Sequence, residues 1–282
     1  MEIQTPAKVN TQLHILKRRN DGYHEVYTHL VAVSLFDTIR LWPNAGKGIS
    51  LTVEGHPCGP ENKNLILKAA HAFERHSGVA IHMNFHLSKM IPLGAGLGGG
   101  SGNAAGVLQA LNHYYHFPLK TAELKQMAAI LGADVPFFID PRPSEAHGRG
   151  EELAHLPEYP SFFLVIVKPP FAISTAEAYR RCQPAPMPLP VKPIKTFPQL
   201  AASLYNQFEI TLLATFPELF VLKKKLIACG AVAALVSGSG SAVFGLFCEE
   251  TAQRQAYQQL LEAKLGEVYC CHSLESHPYF SV

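Results

Sequence analysis

No stretch of this 282-residue chain approaches the roughly 20 uninterrupted apolar residues of a membrane span. The start, Met1-Glu2-Ile3-Gln4, lacks the basic-then-apolar pattern of an export signal, so a cytoplasmic protein is expected. Charge of one sign is lacking too. Twenty-four basic against 22 acidic residues leave +2, too weak a field to argue for nucleic acid or an anionic membrane. The six cysteines (Cys58, Cys182, Cys229, Cys248, Cys270 and Cys271) form no CxxC pair and no regular spacing, which excludes a disulfide framework and leaves reduced, buried thiols. The 14 histidines are scattered without metal-cage spacing, so no structural metal is expected. A small-molecule ligand is the remaining default, in a chain whose length and 48% hydrophobic content suit two moderate cores.

The first forty residues read as strands: Val9, Leu13 and Ile15 alternate with polar neighbours before the turn signal Asn20-Asp21-Gly22, which predicts a hairpin. Further strands are predicted at Thr38 to Trp42 and Ile49 to Val53. A helix follows with Leu65, Ala69 and Phe73 on one face and Gly78 closing it. Ile81, Met83, Phe85 and Leu87 alternate with polar residues as a half-buried strand. Helices are predicted from about Ser101 and from a Thr121 cap to Gly132. The polar stretch from Pro141 to Gly150 marks a change of composition near a domain boundary, giving domains 1–153 and 154–282. Beyond it come a strand at Phe162 to Val167, capping-box spacing at Ser174 and Glu177, and a proline-dense surface run from Pro184 to Pro198. A helix bracketed by Pro217 and Gly230, strands at Val232 to Ser237 and Ala242 to Phe247, a helix over Thr251 to Leu265 and a last strand at Val268 to His272 complete an α+β chain.

One segment concentrates the chemistry. Pro92-Leu93-Gly94-Ala95-Gly96-Leu97-Gly98-Gly99-Gly100-Ser101-Gly102-Asn103 holds six glycines in twelve residues between a strand and a helix. Such a loop brings backbone N–H groups up to a polyphosphate without obstruction, and the helix start adds free amides and the positive end of its dipole. Gly94, Gly96 and Gly99 match GxGxxG, but no acidic residue near 115 is present to hold a ribose. The Lys-Ser or Lys-Thr ending of a P-loop is missing as well. A flexible surface turn is the remaining reading, and the well-patterned flanks argue against it.

Pro6-Ala-Lys-Val-Asn10, the glycine loop with Ser101-Gly-Asn-Ala-Ala105, Leu131-Gly-Ala-Asp-Val-Pro136 and Ser237-Gly-Ser-Gly-Ser241 follow one another in the order seen in the GHMP kinases, which the chain resembles over nearly its whole length. The resemblance implies a two-domain α+β GHMP kinase fold. Its N-terminal domain would be like domain 2 of ribosomal protein S5 and its C-terminal domain ferredoxin-like, with ATP and substrate meeting between them. Arg19-Asn-Asp-Gly-Tyr-His24, Gly132 to Phe138, Gly148-Arg-Gly-Glu151 and Asn206-Gln-Phe-Glu209 resemble the branch that phosphorylates the 2-hydroxyl of 4-diphosphocytidyl-2-C-methyl-D-erythritol in the non-mevalonate isoprenoid pathway. Carried over residue by residue, the likeness implies Asp134 as proton acceptor with Lys8 as its partner, and residues 92–102 as the ATP-phosphate loop. It implies Asn10 as a substrate contact, Tyr23 and Tyr179 as the two faces of a cytosine sandwich, and His24 on the polar edge of the base. Magnesium is implied with ATP, as is a monomer or homodimer. The family usually carries two serines after the triple glycine; here Gly102 follows Ser101, which removes one phosphate or magnesium contact. Another GHMP kinase, acting on mevalonate, homoserine or a sugar, and a non-catalytic nucleotide-binding regulator are the alternatives.

Overall fold

The computed structural model describes residues 1–46, 48–187, 193–277 and 279. Strands β1 (Glu2–Arg18) and β2 (His24–Pro43) form one long antiparallel hairpin around the predicted turn. The strand anticipated at Thr38 to Trp42 is the far end of β2 rather than a separate element. Three register shifts, between Pro6 and Ala7, Asn10 and Gln12, and Ile15 and Lys17, bend this ribbon and decide which side chains face which layer.

Strand β3 (Ile49–Gly55) leads to a short 3-10 turn at Glu61–Lys63 and to helix α1 (Leu65–Ser77). The Asn64 side chain caps α1 by accepting from Ile66 N–H at 2.9 Å, and Gly78 closes it at φ 72°. Ala69 and Phe73 are buried as the periodicity predicts, but Ile66 replaces Leu65 on the inner face. Strand β4 (Met83–Lys89) starts two residues later than predicted, because the Glu74 carboxylate takes the Ile81 N–H at 2.9 Å. Helix α2 (Gly99–Tyr114) starts two residues earlier than predicted, inside the glycines. Helix α3 (Thr121–Leu131) has Thr121 as its first helical residue; the cap position is Lys120, whose N–H is held by Glu123 at 2.8 Å. Helix α4 (Val135–Ile139) is entirely buried. The polar stretch after it carries β5 (Ser144–His147), which pairs with β2, followed by β6 (Glu152–His155) against β5.

In the second half, β7 (Phe163–Lys168) precedes α5 (Thr175–Arg181). Ser174 makes no side-chain cap there, and Glu177 pairs with Arg181 at 2.6 Å instead of reaching back to the cap. Of the proline-dense run, residues 188–192 lie outside the described residues. Its end is helical: α6 (Phe197–Ser203) tolerates Pro198 in its first turn, where the missing N–H would be unpaired anyway. Then follow β8 (Tyr205–Asn206), α7 (Glu209–Thr215), α8 (Pro217–Ala228), β9 (Ala233–Val236), β10 (Val243–Phe247), α9 (Glu250–Ala263) and β11 (Glu267–His272). Neither β8 nor α7 is apparent in the residue pattern.

The first sheet runs β3-β4-β2-β1-β8, with β5 and β6 branching from β2. The second is antiparallel, β11-β7-β10-β9. Helices α1 to α4 cover one face of the first sheet around Leu30, Ile39, Phe73, Leu108 and Phe138. On its other face Ala7, Val9, Val31 and Val33 pack against Leu164, Ile166, Phe244 and Leu246 of the second sheet, so one apolar layer joins the halves. All six thiols are free; Cys182 and Cys271 are buried, whereas Cys248 and Cys270 are exposed, Cys270 on the edge strand β11. Among the described residues no helix is long and apolar enough to cross a membrane.

Candidate active site

A cleft of about 1100 Å³ opens along the glycine loop. The loop rises on three glycines in the left-handed region, Gly94 (φ 61°), Gly96 (φ 74°) and Gly98 (φ 69°), where a side chain would strain the backbone. Gly98 is the N-cap of α2, and no side chain caps that helix. The first helical bond inside α2 runs from Gly102 N–H to the Gly98 carbonyl at 2.9 Å, so the amides of Gly99, Gly100 and Ser101 have no carbonyl a turn earlier to bond. With the helix dipole behind them, these amides suit an anion. Pro92 to Ser101 all line the cleft, and Gly102 does not. Gly102 backs onto β1, where an added Cβ would lie 2.8 Å from the Pro6 carbonyl oxygen, and its N–H is already taken within the helix.

Lys8 reaches the cleft floor from β1, 3% exposed, and the loop is tied to the same residue: Lys8 N–H donates to the Leu97 carbonyl at 2.9 Å. Its Nζ lies 3.5 Å from Asp134 Oδ2 and donates to Asn10 Oδ1 at 2.5 Å. Asn10 Nδ2 in turn donates to Thr28 Oγ1 at 2.8 Å, and Thr28 Oγ1 donates to the Gln12 carbonyl at 2.6 Å, so the lysine's partner has one orientation. Asp134 immediately precedes the buried α4, and its carboxylate is 37% accessible, open to the cleft. The arrangement is a cation fixed from behind beside a carboxylate free in front. It can accept a proton at Asp134 and stabilise negative charge on an oxygen between them.

Tyr23, His24 and Tyr179 line the same cleft. Their arrangement differs from the predicted sandwich. The His24 ring lies parallel to Tyr179, centroids 5.2 Å apart and planes at 21°, so His24 offers a face as well as an edge. Tyr179 also rests edge-on against Phe208 at 4.9 Å, and burial pushes its hydroxyl pKa upward. Tyr23 is 55% exposed and turned towards Arg149, whose guanidinium carbon is 5.0 Å from the ring centroid. Burial, then the Arg18 charge, lowers the His24 pKa and favours its neutral imidazole.

Asp37 and Lys89 were not among the predicted site residues. Lys89 Nζ meets Asp37 Oδ2 at 2.5 Å, with neither side chain more than 2% accessible. Asp37 also accepts from Asn103 Nδ2 at 2.9 Å and from the N–H groups of Met90 and Ile91, both at 2.8 Å. One carboxylate thereby holds both the entry to the loop and the helix leaving it. Burial lowers the Lys89 pKa and Asp37 opposes that shift. An added Cβ at Gly99 would lie 2.8 Å from Lys89 Nζ, so the ammonium lies directly behind the amides of α2.

The second half reaches over this loop with Ser237 to Ser241. Ser237 Oγ donates to the Gly96 carbonyl at 3.0 Å, and the N–H groups of Ser241 and Ala242 donate to Gly94 and Ala95 at 3.1 and 3.2 Å. The sequence profile of the GHMP kinases N terminal domain matches residues 64–140 and that of the GHMP kinases C terminal domain matches residues 192–265. A 4-diphosphocytidyl-2-C-methyl-D-erythritol kinase of Pelotomaculum thermopropionicum is 41% identical over 257 residues, 88% of this chain and 90% of the relative. The chain belongs to this family of GHMP kinases. The enzyme of the same name from Syntrophus aciditrophicus is 35% identical over 98% of this chain and 100% of its own. A crystal structure of a 4-(cytidine 5'-diphospho)-2C-methyl-D-erythritol kinase superposes with a TM-score of 0.82 at 36% identity, covering 97% of this chain and 99% of the other. A mevalonate kinase at 14% identity and TM-score 0.72 shares the fold.

Proposed function

We propose that this GHMP kinase transfers the γ-phosphate of ATP to the 2-hydroxyl of 4-diphosphocytidyl-2-C-methyl-D-erythritol, releasing ADP and the 2-phosphate, in the non-mevalonate route to isoprenoid precursors. The observation that carries the reading is the Lys8–Asp134 pair, 3.5 Å apart, at the mouth of an uncapped glycine helix start. The chain's relatives act on that substrate by name. In the proposed step the acceptor oxygen bonds to the γ-phosphorus as the bond from that phosphorus to the bridging oxygen breaks. The hydroxyl proton passes to Asp134, and the electron pair of the broken bond leaves with ADP. Lys8 stabilises the developing alkoxide and Asn10 orients Lys8 and the acceptor. Residues 92–101 hold the phosphates, Pro92 by shaping the loop and the residues after it through their backbone amides, with Gly102 packing the helix onto β1. Magnesium would be taken up together with ATP, with the phosphates and water supplying most of its oxygen ligands, and would neutralise charge on the transferring phosphate.

Tyr23, His24 and Tyr179 hold the cytosine, with residues 1–153 supplying the phosphate loop and 154–282 the Tyr179 side of the cleft. ADP release by purified protein is the test, comparing the cytidine diphosphate acceptor with mevalonate and homoserine. Activity is expected with the first alone. Asp134→Asn should lower kcat by about 100- to 10,000-fold, and Tyr23→Ala should raise the acceptor KM about tenfold, as loss of one stacking partner does. Turnover of mevalonate that is indifferent to Tyr23→Ala would refute the reading.

A further inference from the structure

Of the segment Asn206 to Glu209 only Phe208 lines the cleft, yet the amides of Asn206 and Gln207 bond to backbone on either side of it. Asn206 is 3% exposed and uses every polar atom of its amide. Nδ2 donates to the carbonyls of Val236 at 2.8 Å and Gly238 at 2.7 Å, and Oδ1 accepts from Phe208 N–H at 3.0 Å. Its backbone is paired with Leu13 of β1, the strand that carries Lys8 and Asn10. One residue therefore joins the catalytic strand, by its backbone, to the turn that follows β9, by its side chain.

That turn presses on the reacting groups. A Cβ built on Gly238 would lie 3.2 Å from Asn10 Oδ1, 3.3 Å from Lys8 Nζ and 3.2 Å from the Gly96 carbonyl oxygen, so the backbone of Gly238 is packed over the lysine, its partner and the phosphate loop together. The same turn makes the Ser237, Ser241 and Ala242 bonds to Gly96, Gly94 and Ala95. We infer that Asn206 is a positioning residue. By fixing the Gly238 carbonyl it holds the turn over Lys8, Asn10 and Gly96, and without it the turn would drift away from the lysine head group. The inference rests on the reading of Lys8 as catalytic.

Gln207 is the internal comparison. It is 2% exposed, and its amide likewise makes three bonds, accepting from Ile15 N–H at 2.7 Å and donating to the Ile15 carbonyl at 3.2 Å and the Gln183 carbonyl at 2.7 Å. None of those partners belongs to the Ser237–Ser241 turn. Asn206→Ala and Gln207→Ala should lower the thermal midpoint similarly. At a temperature where both are folded, only Asn206→Ala should lower kcat, by about 10- to 100-fold, the effect of misplacing a reacting group by roughly an ångström. Its acceptor KM should change little, and its Ser241 and Ala242 amides should exchange hydrogen faster. Asn206→Asp, which keeps the Phe208 bond but turns a carboxylate towards two carbonyls, should reproduce the loss. Equal kcat in the two alanine variants overturns the inference. If Asn206→Ala does not fold, Gly238→Ala decides: it removes no side-chain bond, and an unchanged kcat would show that the position of the turn does not matter. Wild-type protein that makes no ADP with the acceptor refutes the functional reading instead, and the amide-exchange comparison still tests the role of Asn206 in holding the turn.

Discussion

Glycines in a phosphate loop are usually credited to the ligand, but here the fold itself requires most of them, and two alanine substitutions separate the demands. Gly96 is at φ 74°, and an added Cβ would fall 1.9 Å from the Ser237 carbonyl oxygen, a backbone atom that cannot swing aside. Gly96→Ala therefore incurs about 1 kcal/mol for a left-handed alanine. It also forces the loop off the overlying turn, breaking the bonds from Ser237, Ser241 and Ala242 at roughly 1 kcal/mol each. The expected loss is about 4 kcal/mol, a large part of the 5–15 kcal/mol typical of a folded protein. Gly100 is different: its φ is ordinary, and an added Cβ would meet only Leu65 Cδ1 at 3.7 Å. Gly100→Ala should leave stability within about 0.5 kcal/mol of wild type. It should nevertheless weaken ATP binding about tenfold, because the methyl stands among the amides proposed to meet the phosphates. Urea unfolding and a nucleotide titration on both variants measure the two quantities. Equal destabilisation by the two changes, or a Gly96→Ala protein as stable as wild type, would refute the assignment of these glycines to separate tasks.

Two further predictions concern buried ionisable groups. Asp37→Asn turns an amide NH₂ or an uncharged oxygen towards Lys89 and leaves that ammonium without a counter-ion at 2% accessibility, so urea unfolding should show a loss of about 3–5 kcal/mol. A loss below about 1 kcal/mol would mean that the pair does not hold the loop. His29 is buried between Tyr27, whose hydroxyl is 2.8 Å from Nε2, and Tyr159, and burial lowers its pKa to about 4, with Glu145 opposing the shift. The unfolded chain takes up a proton at this site below about 6.5 while the folded one stays neutral, so stability is fully present above that pH and declines as pH falls towards 4. The decline attributable to His29 should approach about 3 kcal/mol. His29→Gln should flatten the stability curve in that window, and an unchanged slope would exclude the effect.

Where burial follows a local period, the residue pattern reads the fold well. The β1–β2 hairpin, α1, β4, α8 and α9 follow from alternation, helical spacing and turn residues. Short elements escape it: β8 has two residues, and α7 is held by tertiary bonds such as Glu209 to Val236 N–H at 2.8 Å. The Asp37–Lys89 pair escaped for another reason. Read singly, an aspartate and a lysine look solvated. Parity gives a different answer, since Lys89 continues the buried series Met83, Phe85, Leu87, and Asp37 precedes Ile39 and Leu41 on the same buried side of β2. A cation and an anion at inward positions of adjacent strands are each too costly to bury alone, which is a signal that they are paired. Gly102 shows the converse limit. A missing serine looks like a lost ligand contact, but only the packing of α2 onto Pro6 shows that the position faces β1.

The same alternation explains why the cleft lies where the halves meet. Along β1, Ala7 and Val9 point into the apolar layer shared with the second sheet, while Lys8 and Asn10 between and beside them point into the cleft. Burying the first pair therefore fixes the second. A lysine on a free strand would lose much of its directional value to side-chain and backbone freedom. Here the backbone of Lys8 is pinned by its neighbours' packing and by Leu97, and its Nζ by Asn10. The surface that joins the halves is thus also the one that orients the charge, and a change at Val9 or Val31 that loosened the sheet packing would act on Lys8 without touching the cleft.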